Sequence, residues 1–134
     1  MPTHVFYIHG FNSSPQSAKA QVMGRYLATY HPQVVYHVPT LSFDPEQAAK
    51  TLCDAIEACL PDPVKLLGSS MGGFYGTYAA ERFGLPLALI NPAMNPHELV
   101  KGFFGEQVNS YTGERYTYTP EHVALFRSLA VDVT

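Results

Sequence analysis

Concentrated positive charge is missing from this 134-residue chain: 8 Lys and Arg stand against 11 Asp and Glu, with a net charge of −3 and no basic cluster. Phosphate backbones are held by grouped cations, which argues against a nucleic-acid partner. Long apolar runs are missing too. Leu87-Ala88-Leu89-Ile90 is typical of the longest, far short of the roughly 20 residues that cross a bilayer, so no membrane role is expected. No basic segment followed by a cleavable apolar stretch opens the chain, because His4 and His9 bracket only four apolar positions. Cysteine is scarce. Cys53 and Cys59 are expected on one helix, about 9 Å apart along its axis and on different faces, beyond disulfide reach. Two unpaired thiols suit a reducing compartment, so a cytoplasmic location is expected. Neither cysteine has histidine at ligand spacing, and both are read as small buried apolar residues. His97-Glu98 begins a zinc-protease pattern, but Lys101 stands where the second histidine belongs. No metal and no cofactor is expected. Internal repeats and low-complexity linkers are absent.

What remains is the composition of one globular domain, 46% hydrophobic and 14% charged. Residues 3–8 form a β-rich apolar run ending at His9-Gly10, which reads as a buried strand. Further strands are expected at 34–38, from Val64 onward, and at 87–90. Four helix starts pair a capping residue with proline: Ser14-Pro15, Asp44-Pro45, Asn95-Pro96 and Thr119-Pro120. The first residue accepts from an orphan N–H and the proline sits where none is needed. The first helix, 15–30, carries Ala18, Val22, Met23, Tyr26, Leu27 and Tyr30 on one stripe. The second, 45–60, carries Ala49, Leu52, Ile56 and Cys59 or Leu60. A third follows Ser70 and ends at Phe83, with Gly84 as its cap and Pro86 beyond. Short helices are expected at 96–104 and 120–129, around a turn-rich segment, 109–118, with room for a hairpin at Thr112-Gly113. Tyr111, Tyr116 and Tyr118 there fit an acyl pocket or one face of an edge strand equally well. His122, in the first turn of a helix, is expected to be solvated. The order β-α-β-α-β-α-β implies the α/β class, a parallel sheet flanked by helices with its site at the carboxyl ends of the strands. His9, Asn12, Ser70 and Asn91 fall at that edge.

One stretch carries chemistry. Gly68-Ser69-Ser70-Met71-Gly72 lies between a strand and a helix and matches Gly-x-Ser-x-Gly, the nucleophile elbow, only when centred on Ser70. The turn is so tight that side chains at 68 and 72 are expected to collide with each other. A phosphate cradle fails, since no Lys-Ser/Thr pair follows the glycines and Ser70 occupies the second glycine of a dinucleotide fingerprint. His9-Gly10-Phe11, leaving the first strand, is placed to form half of an oxyanion hole. The Phe11 N–H is the first expected donor and the Met71 N–H the second. His9, Gly10, Gly68 and Gly72 are read as shaping the site. His9 is not taken as the base, because it precedes Ser70. The residues after Ser70 supply no convincing pair of an acid followed by a histidine; His122 has only Asp132 after it, which inverts the expected order.

These residues resemble the YqiA/YcfP-type esterases, small bacterial α/β-hydrolases. The likeness rests on Tyr7-Ile8-His9-Gly10-Phe11-Asn12-Ser13-Ser14-Pro15 with Ser17-Ala18-Lys19-Ala20, and on Gly68-Ser69-Ser70-Met71-Gly72-Gly73-Phe74-Tyr75. Asn91-Pro92-Ala93 with Pro96, and Tyr111-Thr112-Gly113, add to it. The resemblance implies a serine esterase or thioesterase working through an acyl-serine, with Ser70 as nucleophile and a small acyl ester or thioester as substrate. It also implies two further core strands, one leading to a Gly-Asp segment with the catalytic acid and one to an Asn-His segment with the base. Neither is present, so the chain is expected to stop within its fold and to be nearly inert alone. The alternative is a non-catalytic acyl-binding or interaction module, and either way an open sheet edge invites self-association.

Overall fold

The computed structural model describes residues 1–10, 17–90, 105–109 and 115–129. A four-stranded parallel sheet is built from β1 (His4–Ile8), β2 (Val35–His37), β3 (Val64–Ser69) and β4 (Leu87–Ile90), in the order β2-β1-β3-β4. Between them run α1 (Ala18–Tyr30), α2 (Pro45–Glu57) and α3 (Met71–Phe83). Two antiparallel strands, β5 (Gly105–Val108) and β6 (Arg115–Tyr118), form a separate ribbon, and α4 (Pro120–Leu129) ends the described chain. The expected α/β class is therefore the one observed.

β1 is central, and the chain goes first to β2 on one side of it and then to β3 on the other. In open parallel sheets such a reversal of direction marks the place where ligands bind, beyond the carboxyl ends of the strands, here those of β1 and β3. Phe6, Tyr7 and Ile8 are at most 2% exposed, as a strand covered on both faces requires. Alternation sends Phe6 and Ile8 to one face, where they meet Ala48, Leu52 and Ile56 of α2, Phe74 and Ala79 of α3, and Phe126 of α4. Tyr7 points the other way, toward the side of Tyr36, whose hydroxyl donates to the Ala20 carbonyl of α1 at 2.7 Å.

Local chemistry sets the helix limits. Asp44 accepts from the Glu46 N–H at 2.9 Å and Pro45 is the first residue of α2, as expected. Gly84 closes α3 in the left-handed conformation, φ 66°, donating to Ala80 O. α1 departs from expectation. Ser17 is extended and accepts from the Ala20 N–H at 3.4 Å, so the helix starts there and not at Pro15. Its apolar stripe is also largely uncovered: Ala20 is buried, whereas Val22, Tyr26 and Tyr30 are at least half exposed. α2 ends at Glu57, which leaves Cys59 beyond the helix that Cys53 occupies. β5 was not foreseen, and Tyr116 and Tyr118 belong to a buried face of β6. Tyr116 stacks on Phe43 at 4.8 Å and Tyr118 packs near Phe126. The expected helix at 96–104 and the Thr112-Gly113 turn lie outside the described residues.

Candidate active site at the strand–helix elbow

Ser70 joins β3 directly to α3 with φ 55° and ψ −122°, and among the described residues no other non-glycine has a positive φ. Such a conformation costs on the order of 1–3 kcal/mol and persists only where neighbours enforce it. Here the backbone enforces it: the Ser70 N–H donates to Ile90 O at 3.0 Å, and Ser70 O accepts from the Gly73 N–H at 3.0 Å. The side chain makes no capping hydrogen bond to its own helix. It is partly exposed, although Ser69 and Met71 on either side are buried. Among the described residues nothing takes up this hydroxyl, and it is not sunk in the core.

Three glycines let the elbow close. A Cβ on Gly68 would lie 2.7 Å from Gly73 Cα and 2.8 Å from Gly72 O, inside the first turn of α3. A Cβ on Gly72 would overlap the Ile8 carbonyl oxygen and lie 2.8 Å from His9 O. Each is small for a reason beyond the spacing between them, because the backbone that passes it leaves no room for a Cβ: the first turn of α3 at Gly68 and the end of β1 at Gly72. A Cβ on Gly10 would lie 2.8 Å from Ser70 Cβ and 3.3 Å from Ser70 Oγ. The exit of β1 therefore lies against the serine itself, which the sequence could suggest only through a family pattern.

His9 is buried at this junction. Its Nε2 accepts from the Leu41 N–H at 2.9 Å, and Nδ1 donates to Gly10 O at 3.2 Å. Both ring nitrogens are engaged in one neutral tautomer. Burial pushes its pKa below the ordinary value of 6.5, against the opposing pull of the Gly10 carbonyl. The ring ties the β1 exit to the segment before α2. The Met71 N–H belongs to the first turn of α3, where helical N–H groups have no partner within the helix and the dipole favours negative charge. Phe11, Asn12 and Asn91 lie outside the described residues.

Among the described residues no histidine or carboxylate is hydrogen-bonded to Ser70. His122 is not simply solvated: its Nδ1 accepts from the Thr119 N–H at 3.0 Å, and its ring packs edge-on against Phe43 and Tyr118. The described grooves lie elsewhere, one of about 530 Å³ between α2, α3 and α4 and one of about 430 Å³ between α1 and β2.

A second polar cluster, which the sequence gave no reason to expect, sits at the amino edge of the sheet. His4 Nδ1 is 2.8 Å from His37 Nε2, His4 Nε2 is 3.0 Å from Asp62 Oδ2, and Cys59 Sγ is 3.8 Å from His37 Nε2. Cys59 was expected to lack histidine neighbours and to be apolar filling. Separations of 22 to 58 residues hide such a group from any local motif.

A parallel sheet with a strained serine between strand and helix defines the class of α/β-hydrolase folds. Solved structures agree. One, a provisionally assigned hydrolase from Agrobacterium vitis S4, superposes with a TM-score of 0.72 at 18% identity, over 97% of this chain and 62% of its own. Mouse alpha/beta hydrolase domain-containing protein 10 does so with a TM-score of 0.58 at 16% identity, over 96% of this chain and 62% of its own. At these identities the likeness is one of fold, and the chain spans less than two thirds of each. Within that class the chain belongs to the family described as "Uncharacterised protein family (UPF0227)", whose model matches residues 4–134. This is the family that the elbow and His-Gly-Phe motifs resemble. No described helix is long and apolar enough to cross a membrane.

Proposed function

We propose that the protein is a serine hydrolase of small carboxylic esters or thioesters, with Ser70 as its nucleophile. The observation that carries this is the positive φ of Ser70, with its hydroxyl held clear of the helix and beside Gly10. In the proposed reaction Ser70 Oγ attacks the acyl carbon while a base removes its proton. The negative oxygen that develops is held by the N–H groups of Met71 and Phe11; losing one such donor typically costs about 10²–10³ in rate. Collapse expels the alcohol or thiol, which takes the proton, and leaves an acyl-serine that water hydrolyses. By the family resemblance the acid and base come from Gly-Asp and Asn-His segments beyond Thr134. Lacking them, a serine of this kind loses on the order of 10⁶ in turnover. No cofactor takes part, and the two free thiols, Cys53 and Cys59, suit the cytoplasm.

β4 is an outer strand of the described sheet, with Leu89 43% exposed. We place the two further strands that the family resemblance implies, or a second copy of this chain, on this edge. A fluorophosphonate probe tests the assignment. The 134-residue chain should label slowly, and a form extended through both segments should label fast and stoichiometrically at Ser70. Labelling elsewhere, or an extended form as slow as the short one, refutes it. Size exclusion of the short chain should show association rising with concentration; a monomer at all concentrations removes the edge proposal.

A further inference from the structure

We propose that His4, His37 and Cys59 form a site for a zinc-class divalent cation, with Asp62 orienting one ligand from behind. His4 is the first residue of β1, His37 the last of β2, and Cys59 follows the end of α2. One donor atom from each of the three lies within 4.8 Å of the other two, and His37 Nε2 faces both His4 Nδ1 and Cys59 Sγ. Around tetrahedral zinc, with Zn–N near 2.0–2.1 Å and Zn–S near 2.3 Å, paired donors stand about 3.3 Å (N···N) and about 3.6 Å (N···S) apart. The observed 2.8 Å between the imidazoles and 3.8 Å between Cys59 Sγ and His37 Nε2 lie a few tenths of an ångström from those values. The His4–Cys59 pair lies within 4.8 Å and closes by rotation of the partly exposed Cys59 side chain.

Asp62 supplies the second argument. Its Oδ2 lies 3.0 Å from His4 Nε2, and an ionised carboxylate can only accept, so Nε2 carries the proton and the Nδ1 lone pair faces the cluster. A ligating histidine whose other nitrogen donates to a carboxylate is the arrangement found behind protein-bound zinc. His37 is fixed as well, stacked on Phe6 with ring centroids 4.4 Å apart and on His4 at 5.0 Å. At present His37 Nε2–H donates to His4 Nδ1, and the Cys59 thiol donates to Ala55 O at 3.5 Å. Binding moves the His37 proton to Nδ1 and releases one proton from Cys59, so the thiolate and two neutral imidazoles meet the ion and a fourth position is left for water. β1 runs about 13 Å from His4 to Ile8, which separates this cluster from the elbow. The ion would hold the amino edge of the sheet together and take no part in acyl chemistry.

Reduced protein titrated with Co²⁺ reads the site directly. One equivalent should bring in thiolate-to-cobalt charge-transfer absorption and the ligand-field bands of tetrahedral cobalt, both displaced by Zn²⁺. Cys59→Ser should abolish the charge-transfer band, Cys53→Ser should leave it intact, and Asp62→Asn should weaken binding by about 10–100-fold. Zn²⁺ should also raise the melting temperature of the protein but not that of Cys59→Ser. No thiolate band at one equivalent, a band that survives Cys59→Ser, or a band that vanishes with Cys53→Ser overturns the assignment.

Discussion

Adding one methyl group at Gly72 should unfold the elbow from within. Gly72 is the second residue of α3, where Gly→Ala ordinarily gains at most about 1 kcal/mol of helix propensity. Its Cβ, however, would overlap Ile8 O and lie 2.6 Å from Ile8 C and 2.8 Å from His9 O. These atoms are backbone at the end of the central strand, which pairs with β3 through Ile8↔Gly68 and cannot swing aside as a side chain can. Overpacking costs about 1–3 kcal/mol where side chains absorb it, so rigid backbone places this case at the upper end, about 3. The net loss is then about 2 kcal/mol, or roughly 6–10 °C in melting temperature for a domain of this size. Gly76, one turn on in the same helix, is the internal control. Its Cβ would meet Leu87 Cδ1 at 2.9 Å and Ile8 Cδ1 at 3.3 Å, both ends of flexible side chains, so Gly76→Ala should fall within about 1 kcal/mol of the parent. Calorimetry or urea unfolding of both variants decides. Equal stability of Gly72→Ala and the parent, or equal damage from the two substitutions, would show that α3 does not bear on the β1 carbonyls as described.

Ser70→Gly should separate stability from chemistry: glycine adopts φ 55° freely, so unfolding free energy should rise by about 1 kcal/mol while probe labelling is lost. A drop in stability would mean that the serine is not strained. His9 makes a prediction about pH. Its folded-state pKa lies below 6.5 because burial disfavours the charged ring, so the unfolded chain binds the proton more readily. Its contribution is therefore complete above pH 6.5 and is lost as pH falls from there through the folded value. The stability difference between the parent and His9→Gln, measured in urea, should narrow across that range; a constant or widening gap refutes a buried neutral His9.

The elbow was legible because its information is contiguous: strand, two glycines around Ser70 and helix all fall within residues 64–83. Proline with a capping residue likewise fixed the start of α2 through Asp44, and Gly84 its counterpart at the end of α3. α1 was misjudged at both levels. Ser17 competes with Ser14 for the same capping task, and periodicity cannot say whether a stripe such as Val22, Tyr26 and Tyr30 has anything to lie on. The ribbon was half legible, since alternation at Tyr116 and Tyr118 marked a strand face but not what covers it.

The two glycines of the motif show where such inference stops. Spacing alone gives them one shared reason, mutual collision, but the structure shows a separate backbone constraint at each. Gly68 yields to the first turn of α3, whereas Gly72 yields to β1, more than sixty residues earlier in the chain. Gly72 thus carries a tertiary requirement inside a local pattern, while His4, His37 and Cys59 carry one with no local pattern at all. β1 links both cases: its carboxyl end sets how closely α3 can approach Ser70, and its amino end holds His4. A substitution that shifts β1 along its axis by one residue would face every side chain to the opposite layer. It should therefore disturb the elbow and the imidazole cluster together, although they stand at opposite ends of the sheet.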